Sequence, residues 1–535
     1  MITIAPPHRA RGVAGAVSRP VRDHWFFGLV LIAGLALRVL AQAAYRPALL
    51  YIDSGKYLVG SGGTAPEGYQ VLLRLLDPIG GLALVAAVQH AFGLATAVVL
   101  YALMIRCGGP RWAAAPAAAP VLLDAYQLQL EQTIMPDVLF ETMIAAGLAL
   151  LLWPGPGSRA GVAAGRVAAA ALVLGATATV REIGGVLAVP AVVFAALTAP
   201  RWRRAALAAG CFALPVLGYM TASYVVTGHF GLASNGLAPE YGRAAAAADC
   251  ATRPVPAGER ALCPAPAETR ALGGIDGLLH NPGSPGHTVP PPPGVTRGQL
   301  LGRFSLAVFR QQPLRVAASV ARDSIRLFAL TRDGDPQVTS IARWQFQTFY
   351  PAYPRRDTMA VFTRLAREHG SAGLLRAVEP AARILRAYQL DGGYTPGPLY
   401  AAALAAGVAG ALAGLGGRGA ARARTARFRA ARPLPAARSR TARSRTARPL
   451  PAARQLAGGC LLVTLAAVIL LVSSDAYEFS WRYQLPAVVL LPLAGALGIT
   501  AVTTPATAAP SAIGGTGRRT RPASAASGLR APAAR

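Results

Sequence analysis

Residues 456–504 read LAGGCLLVTLAAVILLVSSDAYEFSWRYQLPAVVLLPLAGALGITAVTT. Two apolar runs, 456–473 and 485–504, flank a short turn that contains Glu478 and Arg482. A helix of about 20 mostly apolar residues crosses the roughly 30 Å hydrocarbon core of a bilayer. Each run has about that length, so the stretch predicts a transmembrane hairpin with a charged turn.

The remaining sequence has the same character. The chain of 535 residues is 53% hydrophobic and only 14% charged, and its mean hydropathy is +0.40, which is too apolar for an ordinary soluble protein. We predict an all-α polytopic membrane protein with about ten transmembrane helices. The candidate spans are 25–44, 80–104, 112–130, 137–153, 167–181, 183–199, 205–226, 398–416, 456–473 and 485–504.

The formal charge of +30 lies mostly between or beyond the apolar runs, so nucleic acid is not expected as a partner. Arginines concentrate on one predicted side, which the positive-inside rule assigns to the cytoplasm. This indicates a multi-pass protein of the plasma membrane with both termini cytoplasmic. The predicted divisions are a basic N-terminus (1–24), a transmembrane module with catalytic loops (25–226), an extracytoplasmic domain (227–397), one helix (398–416), a disordered basic linker (417–455), a hairpin (456–504) and a basic tail (505–535).

Two segments allow more than one interpretation. Residues 1–44 also fit a signal peptide, because Ala41-Gln42-Ala43 has the form of a cleavage site. The linker 417–455 carries twelve arginines and no acid, and it repeats ARPLPAAR at 431–438 and 447–454. It either contacts anionic lipid headgroups, at about 1 kcal/mol per Arg near the surface, or is a repeat-expanded linker under positive-inside bias.

Two cysteines lie in the predicted extracytoplasmic domain, where disulfides persist. Cys250 and Cys263 are separated by Pro, Gly and polar residues, and we predict that they are bonded to each other. The histidines of the same domain lack the paired spacing that a zinc site requires. A dedicated metal site is therefore not predicted from them.

Ionisable residues collect at the outer ends of the predicted spans. Asp53 and Lys56 lie in the first outside loop, 51–57 (YIDSGKY). Asp124 and Glu131 are seven residues apart, which is about two helical turns and predicts one shared helix face. Pro136 then ends the helix, and Asp137 begins the next one, where an acid alternatively only complements the helix dipole.

The turn at 478–486 (EFSWRYQLP) adds Arg482 and Tyr483. An arginine beside aromatic residues at the membrane boundary suits a lipid phosphate, although Trp481 and Tyr483 alternatively serve as interfacial anchors. Carboxylates and a cation from distant parts of the chain are thus predicted to meet on the extracytoplasmic side.

The arrangement resembles the GT-C superfamily of polyprenyl-phosphate-sugar-dependent glycosyltransferases, in particular the protein-mannosyltransferase-like group (glycosyltransferase family 39-like). The segments that carry the resemblance follow in order along the chain. They are 51–54 (YIDS), 66–69 (PEGY, a Pro-Gly-Tyr element with Glu67 inserted), 124–131 (DAYQLQLE) with 135–141 (MPDVLFE), 181–184 (REIG) and 482–486 (RYQLP).

The resemblance implies transfer of a sugar from a polyprenyl-phosphate donor to an acceptor hydroxyl on the outer face, by inverting displacement. The acceptor is not named by the sequence. Asp53, Glu131 and Asp137 are the predicted catalytic acids, with Asp53 taking the acceptor proton. Lys56, Arg181, Arg482 and Tyr483 are predicted to bind the lipid phosphate. Glu131 and Asp137 could instead ligate a hydrated Mg²⁺ or Mn²⁺.

Two other classes remain open at this point. Intramembrane carboxylates also suit a transporter or flippase of a lipid-linked or amphiphilic solute. A non-catalytic membrane scaffold is the third reading, with Glu67 marking a degenerate site. A transporter should have its binding site near the bilayer midplane, whereas the enzyme should gather its acids at one outer mouth.

Overall fold

The computed structural model describes residues 14–51, 53–153, 162–197, 201–233, 240–332, 334–350, 356–370, 375–430 and 451–503. The predicted tail at 505–535 and residues 431–450 of the predicted linker lie outside these ranges. The described chain is mostly helical. Its first part contains α1 (Ala14–Ala44), β1 (Tyr45–Arg46), α2 (Ser54–Val59), α3 (Gly68–Arg106), α4 (Arg111–Leu123), α5 (Ala125–Gln132), α6 (Asp137–Leu152), α7 (Ala164–Val180), a 3-10 helix (Glu182–Leu187), α8 (Ala188–Leu197) and α9 (Arg201–Thr227).

The second part begins with short helices and ends with long ones. Its elements are α10 (Glu240–Ala247), a 3-10 helix (Ala257–Leu262), α11 (Pro266–Leu272), α12 (Gly274–His280), α13 (Pro285–Thr288), α14 (Arg297–Gln311), α15 (Pro313–Arg326), a 3-10 helix (Ile341–Trp344), α16 (Arg356–Glu368), β2 (Arg376–Ala377), α17 (Ala381–Leu390), α18 (Gly397–Ala430), α19 (Pro451–Tyr477) and α20 (Pro486–Thr503). The strands β1 and β2 pair antiparallel, with Tyr45 opposite Ala377.

Among the described residues, five helices are long and apolar enough to cross a membrane: Asp23–Ala44, Gly68–Arg106, Trp202–Thr227, Leu456–Tyr477 and Pro486–Thr503. Shorter apolar helices cover Ala164–Val180, Glu182–Leu197 and Gly397–Ala413. Large apolar side chains on α1 and α9 point away from the protein, among them Trp25, Ile32, Val39, Leu214, Val225 and Val226. Such exposed apolar faces are compatible with contact to lipid.

The predicted third span, 112–130, is not one helix. It is divided at Asp124, whose backbone is extended and whose carboxylate accepts a hydrogen bond of 3.0 Å from the Tyr126 amide. Aspartate favours this capping position because its side chain satisfies a free amide at the start of a helix. The prediction that Asp124 and Glu131 share one helix face is therefore wrong, since no continuous helix joins them.

The predicted second span begins at 80, but α3 starts earlier and bends at Gly80 and Gly81. Gly81 has a positive φ of 61°, and a Cβ there would lie 2.7 Å from the carbonyl oxygen of His369. Only glycine allows both this backbone conformation and this close approach. The bend separates the first turns of α3 from its long apolar part.

The helices α18 and α20 pack backbone to backbone through small residues. A Cβ on Gly498 would lie 2.0 Å from the carbonyl oxygen of Ala406, and one on Gly495 would lie 2.7 Å from the Ala403 Cα. Such glycine contacts are typical of helix pairs in membranes. The helix α18 extends to Ala430, so residues 417–430 of the predicted disordered linker are helical, as expected for a run rich in alanine and arginine.

The block predicted at 227–397 contains two kinds of packing. Its first part has its own small core, which includes Tyr241, Leu278, Leu300, Phe304 and Val308. Its later part, from Leu327 onward, packs into the main core of the helical bundle. The disulfide between Cys250 and Cys263 lies at the edge of the small core.

Arg332 fastens this later part to the bundle. Its guanidinium donates to both carboxylate oxygens of Asp124, at 3.3 and 2.7 Å, and both side chains are buried. Three aromatic rings surround the charge, with ring centroids 4.5, 5.0 and 5.3 Å from Cζ, in Tyr126, Tyr394 and Trp481. Burying the charge of Arg332 in this way is energetically favourable only while the Asp124 carboxylate balances it.

We therefore predict that Asp124→Asn lowers the stability of the protein by about 3 to 5 kcal/mol, because the guanidinium stays buried without a charge partner. The measurement is thermal unfolding of the purified protein in detergent. Asp23→Asn is the matched control, since Asp23 pairs with Arg111 where both side chains are about half exposed. Equal melting temperatures for the two variants would contradict the prediction.

Candidate functional site

Arg482 joins two carboxylates that lie far apart in the sequence. Its Nη1 donates to Asp53 at 2.8 Å, and its Nε donates to both carboxylate oxygens of Asp137 at 3.1 Å. Its Nη2 lies 3.0 Å from Asp137 as well. A guanidinium has five N–H donors in a fixed plane, so one arginine can serve both acids at once.

Two further cations complete the cluster. Lys56 Nζ lies 2.9 Å from Asp53, and Arg181 donates to Asp137. The structure thus brings together five of the predicted site residues, which we call the Arg482 cluster: Asp53, Lys56, Asp137, Arg181 and Arg482. Three cations and two carboxylates leave one unbalanced positive charge in this cluster.

Exposure falls steadily from the mouth of the cluster to its floor. The side chain of Lys56 is 48% exposed and that of Asp53 is 25% exposed, whereas Arg482 is 5% and Asp137 is 2% exposed. Asp53 is therefore the carboxylate that a ligand can reach. Asp137 is enclosed and holds the two arginines in place.

Aromatic rings cover the cations from the sides. Tyr483 lies between the two arginines, with its ring centroid 5.2 Å from Arg181 Cζ and 5.6 Å from Arg482 Cζ. The ring centroid of Trp344 lies 5.6 Å from Arg482 Cζ, and its indole N–H donates to Ser480 at 3.1 Å. These ring faces favour a cation and reduce its contact with water.

The backbone near Leu49 sets the position of both acids. The Leu49 amide donates to the Gln132 carbonyl at 2.9 Å, and the Ile134 amide donates back to the Leu49 carbonyl at 3.0 Å. Asp53 follows the first of these segments and immediately precedes α2, while Asp137 follows the second and begins α6. The acids meet because the two segments are joined by backbone hydrogen bonds.

Two glycines of the predicted motifs allow close packing beside Arg181. A Cβ on Gly68 would lie 2.5 Å from the Thr179 carbonyl oxygen, and one on Gly184 would lie 2.4 Å from Thr177 Oγ1. Both contacts fall on the last turns of α7, immediately before Arg181. Glycine is therefore required at Gly68 and Gly184 for a steric reason. Any larger residue would prevent the 66–69 and 181–184 segments from packing against the end of α7.

Glu67 does not belong to the Arg482 cluster. Its amide donates to the Tyr219 hydroxyl at 3.0 Å, and its carboxylate accepts from Ser61 Oγ at 3.3 Å. Tyr69, two residues after Glu67, is buried and donates to Gln89 at 2.7 Å. The carboxylate of the inserted acid thus binds within its own loop, and the tyrosine of the motif is buried.

Glu131 lies in a separate buried cluster, away from the acids with which it was grouped. Its carboxylate accepts from Arg38 Nη2 at 2.6 Å and lies 2.9 Å from His90 Nδ1. Its side chain is fully enclosed. In the part of the chain that the structure describes, Glu131 and Asp137 are each bound to different cations, so they do not form the common metal site that their sequence proximity suggested.

The charges of the cluster determine the protonation of its accessible acid. Burial by itself would raise the pKa of Asp53, but the positive charges of Arg482 and Lys56 outweigh burial and lower the pKa to about 2. Asp53 is therefore ionised near neutral pH. Burial would likewise lower the pKa of Arg482, but Asp137 and Asp53 raise it well above its usual value.

A second group of polar residues beside the cluster was not predicted from the sequence. Arg343 forms a two-pronged ion pair with Asp276, at 3.2 and 2.9 Å, and lies 3.5 Å from the Tyr51 hydroxyl. Glu478 is buried nearby, and burial followed by the charge of Asp276 raises its pKa to about 8. Arg343, Asp276 and Trp344 all lie in the block at 227–397, where no hydrophobic periodicity marks them.

No protein-family model, no curated protein and no solved structure matches this chain. The geometry of the described residues therefore carries the functional argument. That geometry is an enclosed arginine shared by two acids, one of which is accessible, with two further cations and a covering of aromatic rings.

We predict that Gly68→Ala destabilises the protein by about 1 to 3 kcal/mol, because the added methyl group would meet the carbonyl oxygen of Thr179. Gly210→Ala is the matched control, since a Cβ there meets nothing within 4 Å and glycine to alanine in a helix stabilises by about 0.5 to 1 kcal/mol. Thermal unfolding in detergent compares the two variants. A Gly68→Ala protein as stable as the control would show that the packing is not tight.

Proposed function

We propose that this chain is a membrane glycosyltransferase of the GT-C type. It moves a sugar from a polyprenyl-phosphate donor to an acceptor hydroxyl on the extracytoplasmic face, by inverting displacement. The observation that supports this most directly is the shared contact of Arg482 with Asp53 and Asp137, flanked by Lys56 and Arg181.

The proposed topology has ten crossings in the plasma membrane and both termini in the cytoplasm. The crossings are α1, α3, α4 with α5, α6, α7, α8 with its preceding 3-10 turn, α9, α18, α19 and α20. The block at 227–397 then lies outside the cell and carries the disulfide between Cys250 and Cys263. The Arg482 cluster lies at the outer ends of these helices.

The charge of the cluster favours an anionic ligand. Its three cations exceed its two acids, and Lys56 stands at the exposed mouth. A phosphate offers several oxygens to arginine and lysine, and a low-water site strengthens such hydrogen bonds. The polyprenyl chain would extend along the apolar outer surface of the helices, as membrane lipids do, and Tyr483 would cover the phosphate end.

Donor binding changes the state of Asp53. In the resting protein its two oxygens are held by Lys56 and Arg482, so it is a weak base. A bound phosphate competes for the same two cations. As they turn toward the phosphate, Asp53 loses counter-charge, its pKa rises, and it becomes able to accept a proton from the acceptor hydroxyl. Base activation is thus coupled to donor binding.

The chemical step is a single displacement. Asp53 takes the proton of the acceptor hydroxyl, and the hydroxyl oxygen forms a bond to the anomeric carbon of the sugar as the bond from that carbon to the phosphate oxygen breaks. The electron pair leaves with the polyprenyl phosphate. Arg482, Arg181 and Lys56 balance the negative charge that develops there. Asp137 acts through the arginines that it positions, while Glu131 serves the fold.

We predict that Asp53→Asn lowers sugar transfer by about 10²- to 10⁴-fold, the usual contribution of a general base. The protein should still fold, because Asp137 remains as the charge partner of Arg482. The measurement uses proteoliposomes with radiolabelled polyprenyl-phosphate sugars and follows label leaving the lipid. Asp391→Asn, a change at an exposed acid of the outside block, is the control and should keep full activity.

Two outcomes of this assay contradict the proposal. Undiminished transfer by Asp53→Asn would remove Asp53 from the reaction. Label that crosses the bilayer while still attached to its lipid would identify a transporter in place of a transferase.

A second prediction concerns the pH dependence of transfer. Lys56 lowers the pKa of Asp53, so Lys56→Gln should raise that pKa and move the acidic limb of the pH–rate profile to higher pH. Lys56→Arg keeps the charge and should leave the limb nearly unchanged. Identical acidic limbs for Lys56→Gln and the unaltered protein would show that Asp53 is not the titrating base.

A further inference from the structure

Three possible metal ligands meet beside the Arg482 cluster without belonging to it. Asp276, His280 and Glu478 each place one donor atom within 4.8 Å of the other two. Asp276 and His280 lie four residues apart on α12, so they project from one face of that helix. Glu478 comes from the turn between α19 and α20, about 200 residues further along the chain.

Glu478 provides the observation that points to a ligand. Its side chain is more than nine-tenths buried, yet its Oε2 has no hydrogen-bond partner among the described residues. Its other oxygen has only a long contact of 3.4 Å with Thr339. A buried carboxylate oxygen without a partner is costly, and it lies here beside a second acid and an imidazole.

The charges around this group also leave room for a cation. Arg343 balances the charge of Asp276, while Glu478 has no ion-pair partner among the described residues. The Arg343 fork occupies two of the lone-pair positions on Asp276, and a carboxylate offers about four. An open cavity of about 280 Å³ lies beside Asp276 and Arg343.

We propose that Asp276, His280 and Glu478 bind one divalent transition-metal ion of the Zn²⁺ class. One imidazole nitrogen with two carboxylate oxygens suits Zn²⁺ better than Mg²⁺, which prefers oxygen ligands alone. Donors about 2.1 Å from a tetrahedral zinc ion lie about 3.4 Å apart. Since the present donors lie within 4.8 Å of one another, the group needs to contract by at most about 1.4 Å. His280 is exposed, and one of its ring nitrogens already faces the two carboxylates within this distance.

The ion would connect two parts of the protein. It would join α12, in the outside block, to the turn that carries Arg482 four residues after Glu478. This role does not depend on the proposed sugar transfer, and it can be measured in the absence of any substrate. A bound ion adds stability in proportion to the logarithm of its concentration above the dissociation constant.

The test is calorimetric titration of the full-length protein in detergent with Zn²⁺, after treatment with a chelator. We expect one ion per chain, with Mg²⁺ binding far more weakly. His280→Ala and Glu478→Gln should each weaken Zn²⁺ binding by at least about tenfold. His229→Ala, which removes an exposed histidine of the same block outside the group, should leave the titration unchanged. Arg343→Gln should tighten binding, because it frees Asp276 from its competing cation.

Thermal unfolding gives an independent measurement. Zn²⁺ should raise the melting temperature of the unaltered protein and of His229→Ala, but not that of His280→Ala. Because His280 is exposed, its truncation leaves the fold intact, so the test stands even if Glu478→Gln does not fold. The absence of saturable Zn²⁺ binding, or binding that survives His280→Ala unchanged, would overturn the proposal.

Discussion

The enclosure of one guanidinium between two acids is the constraint on which the arrangement around Arg482 depends. Arg482 is separated from Asp53 by 429 residues and from Asp137 by 345 residues. Burying an arginine is unfavourable unless its donors are satisfied by charged partners. The loop after α1, the turn before α6 and the turn before α20 must therefore reach one point together. Arg482 therefore couples the positions of three segments that are distant in the sequence.

Much of the architecture could be predicted because membrane helices follow a simple rule of length and apolarity. The ends of α6, α7 and α20 fall within a few residues of the predicted spans. The meeting of Asp53, Asp137 and Arg482 was also predicted, because each residue stands at the outer end of an apolar run. Alternation of helices then places those ends on one side. Both predictions use only the positions of residues along the chain, so neither requires knowledge of side-chain contacts.

Other features were beyond such reasoning. The ion pair of Asp124 could not be predicted, because its partner Arg332 lies in an irregular loop 208 residues further along the chain. Glu131 was predicted as a site residue because it belongs to the 124–131 segment that carries the family resemblance, yet its carboxylate pairs with Arg38 and His90. The proximity of Asp276 to Glu478 could not be predicted either, because it joins the end of one helix to a turn far along the chain. Contacts between a loop and a helix end leave no periodic pattern in the sequence.

The glycine contacts between α18 and α20 have a consequence for the orientation of Arg482. A turn of α20 by one residue rotates its faces by about 100° and would bring a side chain to the seam where Gly495 and Gly498 now meet α18. No such side chain fits against the backbone there. The rotation of α20 about its own axis is therefore fixed, because only Gly495 and Gly498 lack a side chain that would collide with α18. This fixed rotation also sets the direction of the turn that precedes α20.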